Sequence, residues 1–559
     1  MHDAGTSYGR RLVISVIDAI VKSTPERPWA SIPLNDDDLS EGFRDLSFAQ
    51  LATAINAAAW WLHETIGKAP SGEFPTVAYL GPRDLRYPII VMAAAKVGWK
   101  VLLPSLLTSM EAKTHMARET KCKTFICGKA LFSAVETLQK EVGGEKTLVV
   151  PEFEDLISTK GVLEYEYRKT WEEGKEDPLA IFHTSGSSGL PKLVTWTNDM
   201  YATVDATRLL PDVDGIPSYT PTNALMGEGK RFWVMLPLFH SAGLLCALAG
   251  PVFSGFTAVV GPASKIPTPA LADEMHRLAN IDGGLYAPAL LEDLIANPSY
   301  KANLLKLSNV IFSGAPLSKP SGDLLAQKGI VAPMIGSTEG AWWSTVPLDG
   351  KLDWRDWEYY RFHPSSGATF EPAHDDLYEL VAVKTPESHV TMNFWKVPEL
   401  KGITTFRTKD LFSPHPDPVK AEKGLWRYRG RTDDLIVLTG EVKMYVASAE
   451  ERLKTANPLI KAAVAGGQGR KVPFLLLELR AIEEENKNTN SEELGNLEDI
   501  WKTVEEVNKT ILAQTRFRKE LVLIAGNDKP FVRLPKGPVD RRQTLGLYEQ
   551  EIEAMYAKA

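Results

Sequence analysis

A ten-residue run rich in hydroxyl residues and glycine contains the residue types needed to hold a phosphate. It reads His-Thr-Ser-Gly-Ser-Ser-Gly-Leu-Pro-Lys and spans positions 183–192. Gly186 and Gly189 let the backbone approach an anion closely, because glycine adopts positive φ at low cost. Hydroxyl donors and one cation complete the run, namely Thr184, Ser185, Ser187, Ser188 and Lys192. The run predicts a loop that binds a triphosphate.

This run differs from the Walker loop, another glycine-rich phosphate motif. In the Walker loop a lysine directly follows a glycine and is itself followed by Ser or Thr. Here Gly189 is followed by Leu-Pro-Lys, and no hydroxyl residue follows the lysine. A polar turn between two strands is the alternative interpretation, because Ser and Gly clusters are common in turns. The residues before the run, Leu179–His183, predict a strand that leads into the loop.

Length and composition limit the classes of protein to consider. A chain of 559 residues is longer than one hydrophobic core usually supports, so we expect several packed units. Hydrophobic residues make up 44% and charged residues 24% of the chain, which is typical of globular proteins. The net charge of -8 indicates no basic surface for nucleic acid. We therefore expect no nucleic-acid partner.

Cysteine usage and hydropathy bear on the compartment. The three cysteines, Cys122, Cys127 and Cys246, form no C-x-x-C pair, so neither a disulfide framework nor a zinc site is indicated. The most apolar stretch, Tyr87–Pro104, is interrupted by two lysines and is too short to span a bilayer. We expect a cytoplasmic protein without a membrane anchor.

The hydrophobic periodicity indicates alternating helices and strands, which favours a mostly parallel sheet covered by helices. In the first third of the chain it predicts an amphipathic helix over Arg10–Val21, further helices over Phe48–Ile66 and Tyr87–Val97, and a strand at Thr76–Leu80. A second alternating block contains strand-like stretches at Phe232–Leu236, Thr257–Val260 and Asn309–Phe312.

The pattern of predicted elements and the charge density of the sequence change at about Asp434. A short strand is predicted at Leu435–Leu438 and a helix at Ala447–Lys454. The stretch Glu483–Asp499 is dense in charge and predicts an exposed loop or helix edge. The end of the chain is therefore expected to form a separate small α/β domain.

Four more segments follow the first run in an order that resembles the adenylate-forming enzymes. Ile335–Glu339 resembles their Tyr-Gly-Ser-Thr-Glu segment, and Gly314–Leu317 is similar to the segment that contacts adenine. Phe406–Asp410 resembles their Thr-Gly-Asp, and Tyr428–Asp434 resembles their Gly-Arg-x-Asp hinge. Several such motifs in order are far more specific than one. The chain resembles most the adenylation domains of fungal carboxylic acid reductases that are similar to non-ribosomal peptide synthetases.

The resemblance implies a fold and a domain organisation. The expected fold is the α/β fold of adenylate-forming enzymes. Residues 1–432 would form a large N-terminal domain of two sheet subdomains and a distorted β-barrel. Residues 433–559 would form a small C-terminal α+β lid, with a hinge near Asp433. The active site is expected in the cleft between the two domains.

The resemblance also implies a two-step reaction that uses ATP and Mg²⁺. A carboxylate would attack the α-phosphate to give an acyl-adenylate and pyrophosphate, and a phosphopantetheine thiol would then take the acyl group. That thiol would belong to a carrier (thiolation) domain, which a thioester reductase domain could follow. The free-standing alternative is an acyl- or aryl-CoA ligase, and a third hypothesis is a nucleotide-binding scaffold without catalysis.

Matching motifs assign expected roles within the nucleotide site. The loop residues Thr184 to Gly189, with Lys192, would hold phosphates, and Thr338 would contact the α-phosphate. Glu339 would hold the metal ion. The adenine would lie against Gly314, Ala315 and Pro316. Asp410 would accept the ribose hydroxyls, and Arg431 would reach the ribose or phosphate side of the nucleotide.

The catalytic lysine is where the chain departs from the family pattern. Aligning Val539-Asp540-Arg541 with the common Gly-Lys-Val-Asp-Arg ending places Pro538 at the position of the lysine. The ending Gly-Lys-Gly-Thr-Val of the related reductases instead matches Lys536 in spacing. Lys536 is therefore the expected catalytic cation. The absence of a lysine at position 538 is what favours the scaffold hypothesis.

The acyl pocket is expected to consist of Phe239, His240, Gly336, Gly340 and Trp342. Relatives that activate amino acids have an aspartate where this chain has His240, so an α-ammonium group would lack its partner here. An acid without an α-amino group is therefore favoured. Aromatic walls suit an aryl acid by stacking or a betaine by cation–π contact, and the sequence leaves both open.

Overall fold

A computed structural model describes residues 7–185, 190–348, 354–374, 376–439, 442–480, 497–526, 528–534 and 537–559. Within these residues the strands are β1 Pro28–Pro33, β2 Phe43–Ser47, β3 Thr76–Leu80, β4 Lys100–Leu102, β5 Thr124–Cys127, β6 Lys146–Val149, β7 Pro178–Ser185, β8 Pro191–Thr197, β9 Arg231–Trp233, β10 Thr257–Val259, β11 Gly283–Tyr286, β12 Asn309–Phe312, β13 Val331–Pro333, β14 Gly336–Ser337, β15 Ala341–Trp342, β16 Tyr359–Arg361, β17 Ala368–His374, β18 Leu377–Val383, β19 Thr405–Pro414, β20 Leu425–Arg431, β21 Leu435–Leu438, β22 Val442–Tyr445, β23 Ile460–Gly466, β24 Phe474–Leu479 and β25 Val522–Ile524.

The α-helices of the same residues are α1 Val13–Ser23, α2 Phe48–Ile66, α3 Arg86–Val97, α4 Met110–Glu119, α5 Phe132–Glu141, α6 Phe153–Ser158, α7 Trp171–Gly174, α8 Asn198–Tyr201, α9 Thr203–Ala206, α10 Ser241–Leu244, α11 Pro269–Leu278, α12 Pro288–Ala296, α13 Pro298–Leu304, α14 Lys319–Gln327, α15 Pro386–Thr391, α16 Pro418–Glu422, α17 Val446–Ala456, α18 Leu497–Asn508, α19 Arg541–Leu547 and α20 Glu549–Lys558. A buried π-helix, Leu245–Ser254, continues α10.

Two large sheets form most of the molecule. One has the strand order β13-β12-β11-β9-β10-β1-β2, and the other has the order β6-β5-β3-β4-β7-β8. Neighbouring strands are parallel except for the β1–β2 and β7–β8 pairs. Residues of both sheets and of α1, α2 and α3 belong to one hydrophobic core. The alternating pattern therefore produced the helix-covered parallel sheets expected from it.

Local signals explain why α2 occupies the residues predicted for it. Ser47 caps the helix by accepting the backbone N–H of Gln50, and the Gln50 side chain accepts the N–H of Ser47 in return. The buried face includes Leu51, Ile55 and Leu62, at the spacing of one helix side. The predictions for β3 and β12 are confirmed residue for residue, while β9 ends at Trp233, three residues before its predicted end.

A five-stranded antiparallel sheet of order β16-β20-β19-β18-β17 occupies the place of the expected barrel. Register shifts bend the sheet within three of its strand pairs. Its core is aromatic and includes Trp343, Phe362, Phe394 and Phe412.

The C-terminal residues pack around cores of their own. The three-stranded sheet β23-β24-β25 is covered by α17 and α18 on one side and by α20 on the other. The predictions of a strand at Leu435–Leu438 and a helix over Ala447–Lys454 are confirmed by β21 and α17. Most of the charged stretch Glu483–Asp499 lies outside the described residues. None of the helices that the structure describes is long and apolar enough to cross a membrane.

Candidate active site

The candidate site lies at the carboxyl edge of the seven-stranded sheet. Strands β9, β11, β12 and β13 are parallel neighbours, so their carboxyl ends share one edge. Open α/β sheets bind ligands at this edge. Phe239 and His240 follow β9, Gly314 follows β12, and the β14–β15 hairpin follows β13. The topology therefore brings together three predicted segments that are distant in sequence.

The hairpin β14–β15 presents the Thr338-Glu339 pair in its turn. Gly336 lies opposite Trp342, and Ser337 lies opposite Ala341. The Ser337 hydroxyl accepts the Gly340 N–H at 3.0 Å, which closes the turn. Thr338 is buried and Glu339 half-buried.

The two tryptophans of the hairpin face opposite sides, as successive strand residues do. Trp343 packs in the aromatic core of the five-stranded sheet. Trp342 instead packs against the core that contains Phe239. Its buried indole Nε1 has no hydrogen-bond partner among the described residues. Gly340 lies on the side of the five-stranded sheet, because a Cβ there would be 2.2 Å from Phe394.

The predicted phosphate loop connects the antiparallel strands β7 and β8. Gly186, Ser187, Ser188 and Gly189 lie outside the described residues, as does the side chain of Ser185. Thr184 pairs with Lys192 across the hairpin. The two strands flank the run on either side, and both its phosphate-binding role and its interpretation as a polar turn stay predictions.

Trp196 connects the β7–β8 hairpin to the turn that contains Thr338. It is fully buried in β8, and its indole Nε1 donates to the Thr338 carbonyl at 2.8 Å. One hydrogen bond between different sheets therefore joins the two segments that are predicted to bind phosphate. No motif identified Trp196 in the sequence, where it is one of the apolar residues of a strand.

His183, a residue of β7, fixes the β7–β8 hairpin to the segment that contains Ser105. Its Nε2 accepts the Ser105 N–H at 3.1 Å. Burial, together with the nearby Lys113 cation, lowers the pKa of His183 to about 4. The imidazole is therefore neutral at pH 7 and acts as an acceptor.

His240 caps the helix that follows the predicted acyl-pocket segment. The Nδ1 atom accepts the Ala242 N–H at 3.2 Å, so His240 is the N-cap of α10. Phe239 beside it is buried, with its ring centroid 6.3 Å from that of Tyr87. A cap of this kind holds the imidazole at a fixed place in the segment.

Asp410 and Arg431 form an ion pair on neighbouring strands. They are paired residues of β19 and β20, and Arg431 Nη1 donates to Asp410 Oδ1 at 3.0 Å. Burial raises the pKa of Asp410 to about 6, although the Arg431 guanidinium opposes the shift. The sequence predicted a separate nucleotide contact for each residue, and the strand register brings the two side chains into contact with each other.

Gly537 and Pro538, which directly follow Lys536 in the sequence, reach the same sheet edge. Lys536 itself lies outside the described residues. A Cβ on Gly537 would lie 3.1 Å from Ala287, which follows β11, and one on Gly314 would lie 3.8 Å from Pro538. The residues directly after Lys536 therefore contact the ends of β11 and β12, next to the predicted adenine segment.

The predicted hinge lies in a short 3₁₀ turn, Thr432–Asp434, between β20 and β21. Asp434 accepts the Arg431 N–H at 3.2 Å. The side chain of Asp433 lies outside the described atoms. A short turn between two sheets is a suitable place for the backbone to absorb a rotation.

The residues of the site are compatible with Mg²⁺ that binds chiefly to phosphate oxygens. The described residues contain no group of three or more His, Cys, Asp or Glu side chains that could hold a metal ion. Mg²⁺ in nucleotide sites needs only one or two protein carboxylates. Glu339 could supply one of them.

Family comparison agrees with this geometry. A profile of AMP-binding enzymes matches residues 20–362, and a profile of the AMP-binding enzyme C-terminal domain matches residues 433–559. The chain belongs to the AMP-binding enzyme family. The match confirms the resemblance to adenylate-forming enzymes that was seen in the motifs.

Curated relatives of this AMP-binding enzyme are fungal. It is 30% identical to the isocyanide synthase-NRPS hybrid crmA of Aspergillus fumigatus over 99% of this chain and 34% of the relative. It is also 30% identical to a carboxylic acid reductase of Neurospora crassa over 99% of this chain and 51% of that protein. The adenylate-forming reductase Nps10 of Heterobasidion annosum is 28% identical over 97% and 49% of the two chains. The chain therefore spans about a third to a half of these relatives.

Solved structures with the same fold include two complexes. The anthranilate CoA ligase AuaEII bound to anthranoyl-AMP matches with a TM-score of 0.70 at 15% identity, over 95% of this chain and 96% of that one. ATP-bound MatB from Rhodopseudomonas palustris matches with a TM-score of 0.69 at 17% identity, over 97% and 100%. These likenesses confirm the predicted adenylate-forming fold.

Proposed function

We propose that this chain activates a carboxylic acid without an α-amino group and passes it to a phosphopantetheine thiol of a carrier domain, for later reduction. The observation that carries the proposal is the convergence of the Thr338 turn, Gly314 and the Gly537 loop on one sheet edge. The similarity to fungal reductases over nearly the whole chain supports it.

In the first step a carboxylate oxygen attacks the α-phosphorus of ATP. The bond to the bridging oxygen of the β-phosphate breaks, and pyrophosphate leaves with its electron pair. Negative charge accumulates on the phosphate oxygens, so fixed donors and cations are needed there. Thr338 is positioned for this role by the closed hairpin turn and by Trp196, and Lys192 and Lys536 supply cations.

Other residues would hold the nucleotide. The Asp410 carboxylate has two acceptor oxygens for the ribose hydroxyls, and Arg431 lies beside it. Gly314 has φ +92, so its backbone can lie close to the adenine. Mg²⁺, held through Glu339, would neutralise phosphate charge.

In the second step a thiol sulfur attacks the acyl carbonyl, the thiol loses its proton, and AMP leaves. A phosphopantetheine arm of a carrier domain is the proposed thiol, because the reductase relatives are about twice as long as this chain. Coenzyme A is the alternative. The likeness to the anthranilate CoA ligase AuaEII is a likeness of fold and does not favour coenzyme A over a carrier.

The chemistry of the acyl pocket supports an acid without an α-ammonium group. The segment Leu236–Leu244 contains no carboxylate, and His240 caps a helix where an aspartate would be needed. Trp342 brings an aromatic face and an indole N–H without a partner among the described residues. Leaving such a donor unpaired costs about 1–3 kcal/mol, so an acid with a suitably placed acceptor would be preferred.

The experiment is exchange of labelled pyrophosphate into ATP with benzoic acids, hydroxylated benzoic acids, aliphatic acids, betaine and amino acids. We expect exchange with one class of acid that lacks an α-amino group. Lys536→Ala should reduce the exchange by about 10²-fold or more. The matched control is Arg542→Ala, which removes an exposed cation of the same region and should leave the rate within twofold.

Each other outcome favours a different function. ATP binding without exchange for any acid would support the scaffold hypothesis. Thioester formation with CoA but not with a phosphopantetheinylated carrier would support a CoA ligase. Exchange with α-amino acids at the highest rate would contradict the proposed substrate class.

A further inference from the structure

Helix α12 of the large domain contacts the C-terminal domain beside the candidate site. Its N-cap residue, Ala287, contacts Gly537 in the loop that contains Lys536. Two successive carboxylates further along the helix, Glu292 and Asp293, face Arg480 of the C-terminal domain. One helix therefore contacts the C-terminal domain at two separate points.

Arg480 lies at the end of β24 and is anchored within its own domain. Its backbone N–H donates to the Leu459 carbonyl at 2.9 Å, and its Nε donates to the Pro458 carbonyl at 3.1 Å. Both contacts hold the planar guanidinium in one orientation before it reaches the other domain. Arginine is suited to such a contact because its donors form a rigid fork.

The two remaining nitrogens of Arg480 extend to α12. Nη1 donates to Asp293 Oδ1, and Nη2 lies 3.6 Å from Glu292 Oε2. The three side chains are partly buried, with 26% of Arg480, 19% of Glu292 and 33% of Asp293 exposed. Partial burial reduces screening by solvent, so this pair is stronger than a surface pair.

Glu292 extends this contact to the nucleotide side of the site. Its second oxygen, Oε1, accepts the Ser318 N–H at 2.9 Å. Ser318 directly follows the segment Gly314–Leu317 that is predicted to contact adenine. One carboxylate therefore binds both the C-terminal domain and the end of the proposed adenine segment.

We propose that Arg480 is a positioning residue for adenylation. It clamps the C-terminal domain on α12 and so holds Gly537 and Pro538, the residues directly after Lys536, at the carboxyl ends of β11 and β12. The inference rests on the proposed role of Lys536. Arg480 touches no reacting atom, and it acts by fixing the orientation of the domain that contains the lysine. A small displacement of a catalytic group reduces the rate strongly, so the clamp should affect the turnover rate more than the binding of ATP.

The test compares Arg480→Gln with wild type in acid-dependent pyrophosphate exchange with the full chain. We expect the maximal rate to fall about tenfold, which corresponds to about 1.4 kcal/mol, while the KM for ATP changes less than twofold. The double variant Arg480→Glu with Asp293→Arg reverses the pair and should restore most of the rate. A merely structural role of Arg480 would not predict this recovery.

The matched control is Arg470→Gln. Arg470 pairs with Glu553 inside the C-terminal domain, so its loss removes an arginine ion pair without affecting the domain contact. We expect its exchange rate to remain within twofold of wild type. The unfolding temperatures of both single variants should agree with that of wild type within a few degrees.

A second measurement does not depend on activity. Spin labels at Lys306→Cys and Lys502→Cys, both exposed, report the distance between the domains, and the three native cysteines are buried. We expect a narrow distance distribution in the otherwise wild-type chain and a broader one with Arg480→Gln.

The outcomes separate the clamp from the proposed function. If Arg480→Gln matches Arg470→Gln in rate, or if the reversed pair restores nothing, the clamp is disproved. If wild type exchanges pyrophosphate with no acid, the proposed function fails, and the distance distributions alone decide. An unchanged distribution in Arg480→Gln would then overturn the clamp, and a broadened one would support it.

Discussion

Asp410 shows at the level of one residue how burial sets the working range of a site. In its proposed role the carboxyl would accept two ribose hydroxyls, which requires the ionised form. Burial raises its pKa to about 6, above the ordinary 3.8, even though Arg431 favours the charged form. The residue is therefore ionised at neutral pH but not in mild acid.

We expect the affinity for adenosine to rise about tenfold between pH 5 and pH 7, because ionisation of Asp410 passes through about pH 6 in this range. Adenosine is the ligand because it has no phosphate group that titrates there. The measurement is a calorimetric or NMR titration at each pH. Asp410→Asn should bind weakly at both values, and a pH slope that persists in this variant would refute the assignment.

The raised pKa of Asp410 has the opposite effect on the free energy of unfolding. The folded carboxyl keeps its proton up to about pH 6, whereas the unfolded one loses it near pH 3.8. The contribution of Asp410 to the free energy of unfolding therefore falls as the pH rises through this window. Nucleotide binding and stability change in opposite directions here, as is common for functional residues.

At the scale of elements, the hairpin β14–β15 is held by packing that the motif alone does not reveal. Its turn is closed by Ser337, fixed from one side by Trp196 and packed on the other against Phe394. Gly340 has no room for a side chain, although its place after Glu339 suggested a pocket residue. The assignment of Gly340 to the acyl pocket stays a prediction.

We expect Gly340→Ala to lower the stability of the large domain by about 1–3 kcal/mol, because the added Cβ would be 2.2 Å from the Phe394 ring. Thermal unfolding monitored by tryptophan fluorescence measures the effect. Gly261→Ala is the matched control, since its Cβ would meet its nearest neighbour, Met275, at an ordinary 3.7 Å. Equal unfolding temperatures for both variants would contradict this account of the hairpin.

At the scale of the whole molecule, the separate cores predict separate domains. The buried residues of the clusters around Leu453 and around Phe531 all lie beyond position 443. The buried residues of the sheet clusters all lie before position 413. Domains with their own cores and a limited interface unfold with some independence.

We therefore expect two calorimetric transitions, one for residues 1–432 and one for residues 433–559. Limited proteolysis should cut first near Thr432–Asp434, and the fragments should be identified by mass. ATP should raise the unfolding temperature of the large domain, since this domain contains most of the proposed nucleotide contacts. A single transition, together with no cleavage near the hinge, would contradict the proposed boundary.

The sequence by itself determined the family, the order of the elements and the candidate nucleotide residues. Local signals suffice for these, as the cap of α2 and the unbroken apolar run of β3 show. Only the tertiary structure decided three contacts. These are the register of β19 with β20, the hydrogen bond from Trp196 to Thr338 and the ion pair of Arg480 with Asp293 on α12. These contacts join residues that are 21 to 187 positions apart. Side chains so distant meet only when sheets and domains pack, and no local propensity determines that packing.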